Sequence, residues 1–381
     1  MGRSGAGPGS HVAPLAHQKR VAQNVNRLQE RDEEDPDPTW DSGRGADGMR
    51  CAGPAVRCVG SAAWAFVAAW WWFAVGVCAG TGCGAGGRVD PSGVVAVVMV
   101  HARPERLATQ VGAILGGTCV PGRVWVAALG GSGHARGTEM REALRGVEEA
   151  HGRDRVRFVE SSAEMGVVAR LDVGAAVARS ADFVWHLDDD QLPGPGRLQC
   201  LLEAAGRPEF QGAACFSGHG WAQLPEDGVD YRARGAWHDG RTSSEVTELR
   251  VGCGSWFLNA SHAERVLGAD PPFRVPRDAL EHNTGEDIVL AWRLRAALGV
   301  RTYALPEAGR PECTANAAPQ WGLDGRQLTG PHNPHAMAAR ERLIAAMNAA
   351  ARGSAPLSRK DPRLQPREAR AVANSRRDGA L

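Results

Sequence analysis

Neither sign of charge predominates in these 381 residues: 44 Lys and Arg stand against 43 Asp and Glu, a formal net charge of +1. Such a chain has no overall field to draw it to nucleic acid or to another polyanion. None of its nine cysteines forms a CxxC pair, which argues against a zinc ribbon, and the odd number leaves at least one thiol unpaired in any intramolecular scheme. Charge is missing altogether from residues 61–80, SAAWAFVAAWWWFAVGVCAG. Twenty uncharged residues match the thickness of a bilayer core. A cleaved signal peptide would lie nearer the N-terminus.

Around that span the chain divides by composition. Residues 1–60 are rich in Gly, Pro and charge, with an acidic run at 30–37, and predict a disordered tail. Residues 61–80 predict a single-pass signal anchor and 81–92 a Gly-rich stem. Arg44, Arg50 and Arg57 precede the span and Arg88 alone closely follows it, so the positive-inside bias puts the N-terminus in the cytoplasm and the rest in a lumen. Residues 93–345 predict one folded domain, and 346–381 a disordered basic tail.

Within 93–345 the apolar periods alternate between strand and helix. Residues 93–100 (GVVAVVMV) read as a strand buried on both faces. A helix follows from 105 with Leu107, Val111, Ile114 and Leu115 on one side, then a strand at 123–129 and a helix at 138–151. A strand at 155–160, a helix at about 167–179 and a strand at 183–187 continue the order. This succession predicts an α/β fold with a mostly parallel sheet sandwiched by helices. Later, 212–216 and 250–258 read as strands, with Gly252 and Gly254 where the backbone approaches a ligand. Between them, 222–248 reads as a polar, mobile excursion. Ser261 predicts the cap of a short helix at 262–267. Residues 285–298 (GEDIVLAWRLRAAL) predict an amphipathic helix, and 301–305 a last strand.

The chemistry gathers at 183–195, FVWHLDDDQLPGP. Asp188, Asp189 and Asp190 repel one another, yet they close an apolar strand instead of spreading through a solvated loop. At a strand's carboxyl end they make an oxygen-ligand site for a hard divalent cation. That edge of an open α/β sheet is also where ligands bind. The bland alternative is an acidic cap for the next helix. His186 reads as a packed strand side chain. About a hundred residues on, Glu286 and Asp287 occupy a helix's first turn, where the bland alternative is stabilisation of the helix dipole.

Taken together, VVMVHARPERL, LDDD, GCGSWFL, GEDI and a later histidine resemble nucleotide-sugar glycosyltransferases of the GT-A fold, close to the family 2-like and exostosin-like groups. The resemblance covers roughly residues 94–335. It implies a GT-A-type domain behind one N-terminal transmembrane anchor, which moves a hexose from a nucleotide-sugar donor to a glycan or glycoprotein acceptor. The cofactor it implies is a divalent metal, Mn2+ or Mg2+. Asp188 to Asp190 then act as the DXD motif, with Asp190 as the direct metal ligand, Asp188 reaching the nucleotide ribose or the ion, and Asp189 turned into the structure. Asp287 becomes the candidate base, Glu286 holds acceptor hydroxyls, and His332 contacts the metal or diphosphate, with His335 competing for that part. Arg103 and Arg170 are candidate donor contacts, since guanidinium suits phosphate oxygens. The topology implies a type II protein of the Golgi or ER membrane with a luminal catalytic domain.

No QxxRW signature is present, which counts against a processive polysaccharide synthase. Two other readings stay open. A nucleotidyltransferase also uses paired carboxylates on a parallel sheet, but a Gly-rich phosphate loop normally follows its first strand, where this chain has HARPER. The third is an inactive, membrane-anchored glycan-binding protein on a transferase fold.

Overall fold

The computed structural model describes residues 89–101, 103–128, 137–160, 169–210, 214–227, 230, 235–268, 284–319, 321 and 334–353. The expected tail at 1–60, the apolar run at 61–80 and His332 lie outside them. Among the described residues no helix is long and apolar enough to cross a membrane.

The chain runs β1 (Val94–Val100), α1 (Leu107–Leu115), β2 (Arg123–Ala128), α2 (Gly137–His151), β3 (Val156–Glu160), α3 (Ala169–Val177), β4 (Phe183–Leu187) and α4 (Arg197–Ala205). Next come β5 (Ala214–Trp221), β6 (Trp237–Asp239), β7 (Thr247–Leu249), β8 (Val251–Asn259), α5 (Ala260–Gly268), α6 (Glu286–Leu298), β9 (Arg301–Ala304) and α7 (Pro334–Gly353). One sheet takes the order β3-β2-β1-β4-β8-β5-β9-β7, with β6 paired to β5.

Strand β1 is buried at every position. Its side chains alternate, as the pleat requires. Val95, Val97 and Met99 enter one core with α3, α5, α6 and α7, while Val94, Ala96, Val98 and Val100 enter a second with α1, α2 and α4. Helices therefore cover both faces of the sheet, and a β-branched run is the chemistry such a central strand needs.

The winding decides where a ligand fits. From β1 the chain steps outward through parallel β2 and β3, then returns to β4 on the other side of β1. Strand order thus reverses between β1 and β4, and the crevice beyond their carboxyl ends is the expected binding site of an open sheet.

Beyond β4 the expected mostly parallel sheet gives way to a mixed one. Strand β8 lies antiparallel between β4 and β5, β9 is parallel to β5, and β6 and β7 are antiparallel to their partners. Of the pairings, half are antiparallel. The polar excursion read at 222–248 carries β6 and the start of β7, strands of three residues each. Strands that short give no usable alternation, so only pairing reveals them. The cap of α5 is Asn259, not Ser261: its Oδ1 accepts from the Ser261 amide at 2.9 Å. At Gly252 the missing side chain lets β8 close on Ser217, whose Cβ would lie 2.6 Å from an added methyl.

The segment after β9 folds back over the sheet end. A disulfide joins Cys200 on α4 to Cys313. The amides of Gly194 and Gly196 donate to Thr314 and Glu312 carbonyls at 2.8 and 2.7 Å. Beneath them the Arg197 and Glu307 side chains, each 1% exposed, pair at 3.0 Å. Glu307 also accepts from Thr314 Oγ1 at 2.9 Å and the Ala315 amide at 3.0 Å. A buried pair with its remaining oxygens satisfied holds one geometry, and removing one partner would strand the other.

The Cys200–Cys313 bridge closes 113 residues of chain. The double variant C200S/C313S should lose about 2–5 kcal/mol of stability, read as a thermal midpoint lower by several degrees. His262 on α5 gives a pH test. Burial, with Arg265 nearby, lowers its pKa from 6.5 to about 4. The unfolded chain therefore takes the proton first, and stability present above pH 6.5 drains away as the pH falls toward 4. His262→Gln should flatten this part of the acid unfolding profile, measured by chemical denaturation at each pH.

Candidate active site

Three consecutive aspartates leave β4, and the turn sorts them. Asp189 points inward with a side chain 9% exposed, while the Asp188 and Asp190 side chains, 28% and 21% exposed, face the crevice. Asp189 Oδ2 accepts from the His101 amide at 3.0 Å, and Oδ1 meets Arg103 Nη1 at 2.5 Å. It thereby ties the end of β1 to the end of β4. Arg103, read from the sequence as a donor contact, is buried in this pair and lies 3.8 Å from Asp190.

Two amide side chains hold the turn from outside. Gln110 on α1 donates to the carbonyls of Asp188 and Gln191 at 2.6 and 2.7 Å. Asn316 donates to the Asp190 carbonyl at 3.0 Å and accepts from the Leu192 amide at 3.1 Å. Each bond contributes about 0.5–1.5 kcal/mol to the fold, and together they fix the backbone that aims Asp190. From β8, the Gly254 carbonyl accepts from the Asp188 amide at 3.1 Å. Gly254 has φ +78°, and an added methyl would lie 3.0 Å from both the Gln191 amide and the His219 ring. The β5–β8 register also shifts between Ser217 and His219. A bulge beside a site re-aims its side chains.

Arg170, on α3, was the other expected donor contact. Its Nη1 pairs with Asp188 Oδ1 and its Nη2 with Glu286 Oε1 at 3.2 Å. Its guanidinium lies 4.9 Å from the centroid of the Trp256 ring, a cation–π seat on β8. Burial alone would lower its pKa, but Asp188 and Glu286 outweigh that and the net shift is upward. Burial pushes the Asp188 carboxyl up to about 7 against the pull of Arg170, and Asp190 and Glu286 add to the rise. Burial likewise raises Glu286 against Arg170.

Glu286 and Asp287 open α6, as expected, behind Gly285 at φ +85°. Their surroundings differ. Asp287 Oδ1 accepts from the Ile288 amide at 2.8 Å, and Oδ2 lies 3.2 Å from Cys253 Sγ and 3.8 Å from Arg340 Nη2. Both its oxygens are engaged. Glu286 Oε2 is buried without a hydrogen-bond partner. Arg340, on α7, also donates to Thr284 Oγ1 at 2.6 Å, so α7 braces the start of α6. His335 sits exposed on the first turn of α7. His186 is buried in β4, edge-on to Trp256 at 5.9 Å.

Five carboxylates (Asp188, Asp189, Asp190, Glu286 and Asp287) therefore share this end of the sheet with three guanidiniums, Arg103, Arg170 and Arg340. Among the described residues no three His, Cys, Asp or Glu side chains enclose a cation by themselves. A hard divalent ion needs only one or two carboxylates when phosphates and water complete its shell. Asp188 and Asp190 fit that requirement by chemistry and by surplus negative charge.

Sequence reasoning missed Gln110, Asn316 and Arg340. Only Gln110 left a signal: an amide between Leu107 and Val111 on the apolar stripe of α1 has no business there unless it is bonded. Asn316 and Arg340 come from segments with no local motif.

No protein-family model matches the chain, and no curated protein matches it by sequence. Solved structures do overlap with it. One is GalNAc-T7 with UDP, GalNAc and Mn2+, at TM-score 0.40 and 10% identity over 56% of this chain and 41% of that one. Another is the mannosyltransferase PcManGT of Pyrobaculum calidifontis with GDP-Man and Mn2+, at TM-score 0.40 and 15% identity over 84% and 89% of the two chains. A nucleotidyl transferase of Methanothermobacter thermautotroptrophicus overlaps at TM-score 0.34 and 16% identity, over 68% and 98%. The chain spans less than half the length of the first of these.

The aspartates give a paired test. Asp190→Ala should leave the thermal midpoint within about a degree, since its half-open carboxylate adds little to the core. Asp189→Ala removes the carboxylate beside buried Arg103 and should cost about 3–5 kcal/mol, seen in the same melt. Equal midpoints for the two variants would contradict the inward turn of Asp189.

Proposed function

We propose that this chain is a metal-dependent glycosyltransferase that moves a hexose from a nucleotide sugar to a glycan or glycoprotein hydroxyl. The observation that carries the reading is the outward-inward-outward turn of Asp188, Asp189 and Asp190 at the reversal of strand order. It leaves two carboxylates open where an open sheet receives a ligand, with the middle one spent on structure. A divalent cation held by Asp190 and Asp188, manganese or magnesium, would supply Lewis-acid neutralisation of the diphosphate charge.

The chain's own residues do the rest. In the transfer, the acceptor oxygen bonds to the anomeric carbon as the bond from that carbon to the diphosphate oxygen breaks, and the acceptor proton passes to a carboxylate. A base needs a free oxygen and a pKa near the working pH. Glu286 has an unpartnered Oε2 and a carboxyl that burial holds above its usual range, whereas the Asp287 oxygens are engaged. The parts expected of this pair are therefore exchanged in the proposal: Glu286 takes the proton and Asp287 positions the start of α6. Arg170 holds Glu286 and Asp188 in one frame. The Cys200–Cys313 disulfide supports an oxidising compartment, and with it a luminal domain behind the apolar span, in the Golgi or ER.

Titration calorimetry with UDP and GDP, each with Mn2+, tests the donor site. At least one should bind, and Asp190→Ala should abolish the manganese-dependent part. Donor turnover should fall roughly a hundredfold or more in Glu286→Gln with nucleotide affinity little changed. Consumption of a nucleoside triphosphate with pyrophosphate release would instead identify a nucleotidyltransferase.

A further inference from the structure

On the side of Asp190 away from β1, a cavity of about 230 Å³ opens between the β5–β6 hairpin and the segment after β9. Asp190, Gln191, His219, Trp237, Asp239 and Asn316 are among its lining residues. In the sheet, β4 and β8 lie between β1 and β5, so the cavity stands beside the β1–β4 crevice.

Trp237 is the exposed large hydrophobic side chain of the described residues, at 51%. Pairing of Trp221 with Trp237 across the hairpin sets its position. Trp221 meets it edge-on at 4.5 Å, and the His219 ring lies 5.2 Å away, so two rings hold the indole while half of it stays in solvent. An indole kept at a cavity mouth suits a ligand with one apolar face.

The polar lining is built and largely neutralised. Arg241 grips Asp239 through Nε at 3.0 Å and Nη2 at 2.5 Å, and Glu307 is spent on buried Arg197. Among the described lining residues no surplus cation remains to receive an acidic sugar or a phosphate. Gln191 is 5% exposed, and its amide oxygen has no hydrogen-bond partner. That acceptor wants a hydroxyl or amide donor. The volume lies below the roughly 300–1,000 Å³ of sites for drug-sized ligands, which suits a single ring.

We propose that this cavity is an acceptor subsite, which binds one neutral pyranose of a glycan with its C–H face on Trp237 and its hydroxyls toward Gln191, Asp239 and Asn316. Its assignment to the acceptor rests on the transferase function proposed for the aspartate site. Asp190 in the cavity wall joins it to the donor side, so the bound ring lies next to the donor's sugar. Trp237 is a specificity-determining residue and takes no part in proton transfer.

Saturation-transfer NMR on the full chain, with UDP and Mn2+ present, tests the proposal. The probes are the methyl glycosides of glucose, galactose, mannose and N-acetylglucosamine, with uridine and guanosine as flat-ring controls. At least one glycoside should bind, Trp237→Ala should weaken it roughly threefold to tenfold, the range of one aromatic contact, and Trp237→Phe should restore part of the loss. Calorimetric affinity for UDP and Mn2+ should be the same in all three proteins. Equal glycoside binding by wild type and Trp237→Ala, no glycoside binding at all, or displacement of the glycoside by uridine or guanosine would overturn it. Glycoside binding lost in Trp237→Ala, in a protein that binds neither UDP nor GDP, would keep the sugar site while sinking the transferase reading.

Discussion

Arg170 is the interaction on which the rest of the site depends. Asp188 and Glu286 come from segments far apart in the chain and would repel at close range in a poorly solvated crevice. One guanidinium between them, seated on Trp256, makes their proximity tolerable. Its planar fork suits two carboxylates at once, which a lysine ammonium would not match. The result is one frame in which the Asp188 and Glu286 carboxylates keep a set relation. The surplus negative charge that remains is the feature a divalent cation would complete.

Around that frame, distant segments supply fixation. Gln110 and Asn316 hold the same turn from two separate segments, and Asp189 with Arg103 ties it to β1. The segment bearing Asn316 is pinned by the Cys200–Cys313 bridge and by the Arg197–Glu307 pair. Precision at Asp190 thus comes from bonds made by three different parts of the chain. Conformational freedom lost there is offset by burial and by satisfied polar groups, which is the usual condition for a preorganised site.

Much of the β1-to-β4 half was legible in the sequence. A β-branched run with no polar residue suits a strand buried on both faces, and amphipathic periods between such runs suit crossover helices. The aspartates at the end of β4 and the acids opening α6 were visible for the same reason: charge abutting an apolar run is a local anomaly. Gln110 could have been found as an amide on an apolar stripe. Asn316, Arg340 and Trp237 could not, because each sits in a stretch whose residues say nothing until a partner elsewhere is known.

The sequence by itself determined the core strands, the helices on both faces and the carboxylates available for chemistry, because hydrophobic period and charge placement act over a few neighbouring residues. Only the tertiary structure decided which of those carboxylates stay open. Asp189 and Asp190 are chemically identical neighbours, yet one is closed by Arg103 and the other faces the crevice. Glu286 keeps a bare oxygen where Asp287 has none, since Cys253 and Arg340 arrive beside Asp287 from β8 and α7. The direction of β8 was equally hidden: an apolar strand reads the same either way along a sheet, and its hydrogen-bond partners on β4 and β5 set it antiparallel. A side chain's availability is a property of what packs against it, and those contacts are made across long stretches of chain that no local pattern records.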